Sequence, residues 1–170
     1  MQTIMVTGCS SGFGLETARY FLEQGWKVIA TMRAPQEGVL PASDRLRLVR
    51  LDVTSAQSIA EAIAEVGEID VLVNNAGVGM LNALEGAPRE AIANLFATNT
   101  LGTIAMTQAV IPRFRERRSG TIVNITSAVT LQPMPLLAVY TASKAAVNAF
   151  TESLALELLA FNIRVGLILP

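Results

Sequence analysis

Tyr140 and Lys144 stand four residues apart in a stretch of helical apolar periodicity, so both side chains leave one helix face and can reach a common ligand. A phenol with its ordinary pKa near about 10 exchanges protons poorly at neutral pH, but an ammonium within about 4–6 Å favours the phenolate by roughly 1–3 pKa units. Such a pair can serve as a general acid/base. Because tyrosine and lysine at this spacing are common on helices, the pair acquires meaning only from what surrounds it. The second piece of chemistry is Thr7-Gly8-Cys9-Ser10-Ser11-Gly12-Phe13-Gly14, which follows the apolar run Ile4-Met5-Val6 and leads into another helical pattern. Glycines let the chain turn sharply and bring a ligand against bare main chain, while the unpaired N–H groups of the next helix point at an anion. A pyrophosphate suits this turn. The spacing G-x-x-x-G-x-G differs from the common dinucleotide fingerprint, and a plain tight turn is the other reading.

These groups need a scaffold, and the order of apolar patterns supplies one. Strands are expected at Thr3–Val6, Lys27–Met32, Leu46–Leu51, Val71–Val73, Thr121–Ile125 and Ile163–Ile168. Helices fall between them: Gly12–Gln24 stopped by Gly25, a helix capped by Ser55 and running to about Val66, two stretches from Arg89 to Arg118 meeting near Gly102, and a long one from Ala138 to Ala160. Alternating strands and helices imply right-handed crossovers and a parallel sheet covered on both faces, a doubly wound α/β fold of three layers. Ligands then bind beyond the carboxyl ends of the strands. The segments there are the glycine turn, Met32-Arg33, Asp52-Val53, Asn74-Asn75-Ala76-Gly77 and Thr126-Ser127.

Composition narrows the classes. The 170 residues make one domain, and 51% hydrophobic content suits a sheet buried on both faces and a buried subunit contact. The uncharged stretches Ala91–Pro112 and Ser119–Ser143 are long enough to span a bilayer, but asparagines, threonines and prolines interrupt both, so no membrane span is expected. No basic residue precedes a hydrophobic block at the start, and a cytoplasmic location is expected. With no histidine and one cysteine, disulfides and the usual zinc sites are excluded. Cys9 lacks a histidine to activate it and reads as small filler. A net charge of −1 offers no footprint for nucleic acid, and the run Arg113, Arg115, Arg117, Arg118 is expected to end a helix with a solvated face.

Taken together, Thr7-Gly8-x-x-x-Gly12-x-Gly14, Asn74-Asn75-Ala76-Gly77, Asn99, Ser127 and Tyr140-x-x-x-Lys144 resemble the classical short-chain dehydrogenases/reductases in order and spacing along the whole chain. The resemblance implies a Rossmann-type domain that uses a nicotinamide dinucleotide to interconvert alcohols and carbonyls. It implies Tyr140 as general acid/base, Ser127 as hydrogen-bond donor to the substrate oxygen, Asn99 as holder of a water linked to Lys144, and Lys144 also on the nicotinamide ribose. Ser127 as an ordinary strand-end hydroxyl and Asn99 as a helix-bending amide are the bland readings. The cofactor is expected to contact Gly8, Ser10, Ser11, Gly12, Phe13, Gly14, Asp52, Val53, Asn74, Ala76 and Gly77, with the asparagine turn both steadying the sheet and lining the pocket. Asp52 as a turn cap is nearly as good a reading.

Met32 stands where an acidic residue would accept a ribose 2′-hydroxyl, and Arg33 follows with a guanidinium suited to a phosphate. NADP(H) is therefore expected over NAD(H). Val129, Leu131, Met134, Leu136, Leu137, Met80 and Leu81 point to an apolar alcohol or ketone. Apolar residues on several sides of the long helix, among them Leu156 and Leu159, suggest a twofold homodimer through that helix. Members of the family usually continue into a substrate-covering loop, another helix and a seventh strand where this sequence reaches Pro170. The expectation is one domain over residues 1–170 that is truncated at its C-terminus and leaves strand six an exposed edge. A catalytically weak or inactive dinucleotide-binding module is the alternative to an oxidoreductase.

Overall fold

The glycine turn and the acid/base pair are brought together by one sheet. The computed structural model describes residues 1–170. The strands are β1 (Thr3–Thr7), β2 (Lys27–Met32), β3 (Leu46–Arg50), β4 (Val71–Asn74), β5 (Gly120–Ile125) and β6 (Ile163–Ile168). Helices α1 (Gly12–Glu23), α2 (Ala56–Val66), α3 (Arg89–Phe96), α4 (Thr103–Arg117) and α5 (Ala138–Leu158) lie between them, within a residue or two of the expected ends. All six strands are parallel in the order β3-β2-β1-β4-β5-β6. The order reverses between β1 and β4, which opens a crevice at their carboxyl ends.

Alternation along β1 divides the core. Ile4 and Val6 pack with Ala18 and Leu22 of α1, whereas Met5 joins Ile63, Met106, Phe114 and Leu154 of α2, α4 and α5 on the other face. A buried polar relay fixes α4 and α5 against the strands. Asn74 Nδ2 donates to Asn124 Oδ1 (2.9 Å) and Thr107 Oγ1 (3.0 Å), and Asn124 Nδ2 donates to Thr151 Oγ1 (2.8 Å). With solvent excluded, each of these amides is bound to its partner's layer, because an unmade bond there costs about 1–3 kcal/mol.

Two expectations are refined by packing. The stretches expected to meet near Gly102 are joined by a π-helical segment, Ala97–Gly102, and a Cβ on Gly102 would lie 2.7 Å from Val53 Cγ2. The arginine run does end α4, but its expected solvated face is wrong for two members. Arg113 donates to the carbonyls of Ile63 (3.0 Å) and Gly67 (2.7 Å), and Arg117 to that of Ile69 (2.5 Å). Arg113 satisfies open carbonyls at the end of α2, where the helix dipole favours cations, and Arg117 holds the connection that follows into β4. On α5, Val147, Leu154 and Leu158 are buried, while Leu156 and Leu159, just past its end, remain 77% and 74% exposed. No helix is long and apolar enough to cross a membrane.

Candidate active site

The β1–α1 turn forms one end of the site. Gly8 adopts φ +75°, and a Cβ there would stand 2.8 Å from Ala76 Cα, so the two strand-end loops meet as bare backbone. Gly14 lets α1 press onto the same turn, for a Cβ would collide with the Gly8 carbonyl oxygen and Asn75 Nδ2. Thr7 Oγ1 accepts from the N–H groups of Asn75 and Ala76, both at 2.9 Å. Ser11 caps α1 without using its hydroxyl, which leaves the first amides of the helix open toward a guest.

Over this turn lies a groove of about 610 Å³. Gly8, Ser10, Ser11, Phe13, Arg33, Asp52, Val53, Ala76 and Gly77, all expected to touch a cofactor, are among its walls. Gly12 and Gly14 are not; they shape the turn instead. Asn74, also expected to line the pocket, is corrected by the structure: it is buried and spends its amide inside the sheet. The neighbouring Asn75, expected at the pocket only as part of the asparagine turn, lines the groove and donates to the carbonyls of Thr7 (2.9 Å) and Gly8 (3.2 Å). Consecutive residues leaving a strand turn toward opposite layers, a signal present in the sequence. Asp52 caps its turn. Its Oδ1 accepts from the Thr54 hydroxyl (2.7 Å) and N–H (2.9 Å), chiefly the hydroxyl holding its carboxyl below the usual range, while the residue also walls the groove.

A second cavity of about 240 Å³ is lined by Ser127, Tyr140 and Lys144 and shares Phe13, Asn75, Gly77 and Val78 with the groove. The three side chains expected to act together thus face one space that opens beside the turn. Lys144 Nζ lies 5.9 Å from the centre of the Tyr140 ring and donates to the Ile125 carbonyl at 2.9 Å. Asn99 sits in the π segment, but its amide is engaged elsewhere. Nδ2 donates to the Val78 carbonyl (2.9 Å) and Ser143 Oγ (3.2 Å), and Oδ1 accepts from Val78 N–H (2.8 Å). Asn99 Oδ1 and Lys144 Nζ nonetheless flank one spot, lying 3.3 Å and 3.4 Å from where a Cβ on Gly77 would be.

Lys144 is only 5% exposed, and burial holds its ammonium below the ordinary value of 10.5. Between that depressed value and 10.5 the unfolded chain binds more protons than the folded one, so stability rises with pH across this window. At neutral pH the buried charge is a net cost. Lys144→Met is expected to raise the melting temperature at pH 7, with the gain shrinking as pH approaches 10.5. Thermal denaturation at several pH values checks this, and a lower melting temperature at pH 7 would contradict it. Cys9 is inert filler, as expected: burial pushes its thiol up to about 12, and its sulfur donates to the Val6 carbonyl.

The apolar residues expected around the substrate do not wall the small cavity. Leu81, Leu131, Met134 and Leu136 are exposed, in two segments tied together by the Asn82 N–H on the Leu136 carbonyl at 2.9 Å. They lie on the surface rather than in a cavity wall.

Comparisons with known proteins agree with this geometry. Residues 2–170 match the family described as short chain dehydrogenase. Retinol dehydrogenase 8 of Bos taurus is 41% identical over 181 residues, covering 99% of this chain and 58% of that protein. The 3-ketodihydrosphingosine reductase of Bacteroides thetaiotaomicron is 42% identical over 173 residues, covering 99% and 63%. A serine dehydrogenase solved in a closed form with NADP+ superposes with a TM-score of 0.92 at 36% identity, covering 99% of this chain and 71% of that one. The chain spans about three-fifths of the length of the curated relatives it matches. With six parallel strands in Rossmann order, a glycine turn at the switch point and Ser127, Tyr140 and Lys144 facing one cavity beside it, the chain belongs to the short-chain dehydrogenase family.

Proposed function

We propose that the protein is an oxidoreductase that moves hydride between NADP(H) and an apolar alcohol or ketone. The observation that carries this reading is the common cavity of Ser127, Tyr140 and Lys144, joined through Gly77 and Phe13 to a groove with Arg33 at its wall. The residues present fit a dinucleotide. Bare backbone at Gly8, open amides at the start of α1 and a groove of about 610 Å³ suit a pyrophosphate and two ribosides. Bound there, the nicotinamide supplies or accepts the hydride.

The chain's own part is to manage charge on the substrate oxygen. A carbonyl oxygen gains negative charge as its carbon is reduced, and hydroxyls of Ser127 and Tyr140 donate to it within the cavity. Tyr140 gives up its proton to that oxygen, and the nearby Lys144 ammonium stabilises the phenolate left behind. Lys144 also has donors to spare for a ribose hydroxyl. A water beside Gly77, between Asn99 Oδ1 and Lys144 Nζ, would connect the lysine to the π segment. In oxidation the same steps run in reverse.

Arg33 is exposed beside Met32 and Asp52 at the groove wall, and a guanidinium there pairs with a 2′-phosphate. The NADP+ complex of the serine dehydrogenase supports this choice. Arg33→Ala is expected to weaken NADPH by roughly 10–100-fold and NADH little, the loss of a charge-assisted contact of about 1.5–3 kcal/mol. Fluorescence titration with both cofactors checks it; equal losses would sink the assignment. The exposed Leu81, Leu131, Met134 and Leu136, together with relatives named for retinol and 3-ketodihydrosphingosine, support an apolar substrate. The outward leucines at the end of α5 favour a homodimer through the long helices. The test of the whole reading is purified protein with NADPH and a panel of apolar ketones, followed by loss of reduced-cofactor absorbance beside a binding titration. Turnover supports the oxidoreductase, and tight NADPH binding without turnover would replace it with the dinucleotide-binding module.

A further inference from the structure

We propose that Asn148 and Thr130 are positioning residues that set Ser127 at its distance from Tyr140, an inference that rests on the oxidoreductase reading. Asn148 follows Lys144 by one helical step of four residues and Tyr140 by two, so α5 presents all three toward the β5 end. Its Nδ2 donates to Thr130 Oγ1 at 2.9 Å, and the Thr130 hydroxyl donates its one proton to the Ser127 carbonyl at 2.8 Å. The directions are mutually consistent, because a hydroxyl can accept from an amide while donating to a carbonyl. Ser127 itself precedes the short 3-10 turn Ala128–Thr130, in extended backbone that nothing else on α5 holds.

The relay makes one rigid helix the ruler for both reacting hydroxyls. Tyr140 is on the helix directly, and the Ser127 carbonyl is tied to it through two hydrogen bonds, while the N–H groups of Thr126 and Ala128 on either side donate to the carbonyls of Ile168 (2.8 Å) and Pro170 (3.0 Å). Asn148 Oδ1 is buried without a partner, so the seat of this side chain is justified only by what Nδ2 holds. A hydrophobic residue would fill the place without leaving an oxygen unbonded. Asn148 and Thr130 touch neither cavity, and their effect on chemistry passes through Ser127.

Ketone reduction is measured for the intact protein, Asn148→Ala, Thr130→Val, Thr130→Ser and the Asn148→Ala/Thr130→Val double variant. The single deletions are expected to lower kcat roughly tenfold with the KM for NADPH unchanged, since a small displacement of a reacting group is felt in the transition state. Thr130→Ser keeps the hydroxyl and restores kcat, and the double variant is no worse than either single one because both cut the same relay. Unchanged kcat, losses that multiply, or equal loss of NADPH affinity would overturn the proposal. Amide exchange at Ala128–Thr130 is followed in parallel. If the parent protein binds NADPH but reduces no ketone, the oxidoreductase reading fails, and exchange at this turn that does not quicken in Asn148→Ala removes the relay as well.

Discussion

Tyr140→Phe is expected to abolish turnover, by roughly 10²–10⁴-fold in kcat, while leaving NADPH affinity within a small factor of the parent. The substitution removes one oxygen and keeps the ring, so packing around α5 is preserved. Only the proton transfer is deleted. The cavity would still offer the Ser127 hydroxyl to a carbonyl oxygen, and it polarises that oxygen without protonating it. Residual activity should therefore reflect hydrogen bonding from Ser127 and binding alone. Adding Ser127→Ala should cost less in the Tyr140→Phe background than in the parent, because the two hydroxyls act on one atom. Steady-state kinetics and a cofactor titration on the same preparations make the measurement. Turnover within a few-fold of the parent would take Tyr140 out of the mechanism.

Gly14→Ala is expected to damage both fold and cofactor site. The added methyl would collide with the Gly8 carbonyl oxygen, which is backbone, and with Asn75 Nδ2, which is already committed to the Thr7 and Gly8 carbonyls. Neither neighbour can rotate out of the way. Helix α1 must lift from the turn, and overpacking of this kind costs about 1–3 kcal/mol, a fall in melting temperature of several degrees for a chain of this size. Lifting α1 also withdraws its open amides from the pyrophosphate position, so NADPH affinity falls by more than the stability loss alone explains. Gly25→Ala, with no neighbour within 4 Å of the new Cβ but φ +82°, separates crowding from backbone strain, since it strains a turn away from the groove. If Gly14→Ala binds NADPH as the parent does, the close approach of α1 to the β1 turn is not what builds the site.

Much of this arrangement is local and therefore readable from the chain. The switch between two-residue and helical periodicity fixed the identity of every strand and helix, and glycines at positions 8, 12 and 14 marked the turn because only they tolerate its backbone and its contacts. The spacing of Tyr140 and Lys144 placed both on one helix face without reference to anything distant. Adjacent residues encode such features by themselves. The pairing of Asn74 with Asn124 and Thr107, against Asn75 with Thr7 and Gly8, depended instead on which layer each side of β4 meets, with partners 33 to 68 residues away. Likewise Asn99 found Val78 and Ser143, Arg113 found the end of α2, and Arg117 found Ile69 ahead of β4, only once helices had packed against the sheet. Asn148 joins Ser127 through Thr130 for the same reason. A hydrogen bond between distant segments is chosen by the register and depth at which they pack, and that is settled by burial of the whole core, so the sequence declared the candidate groups while the tertiary structure decided what holds them in place.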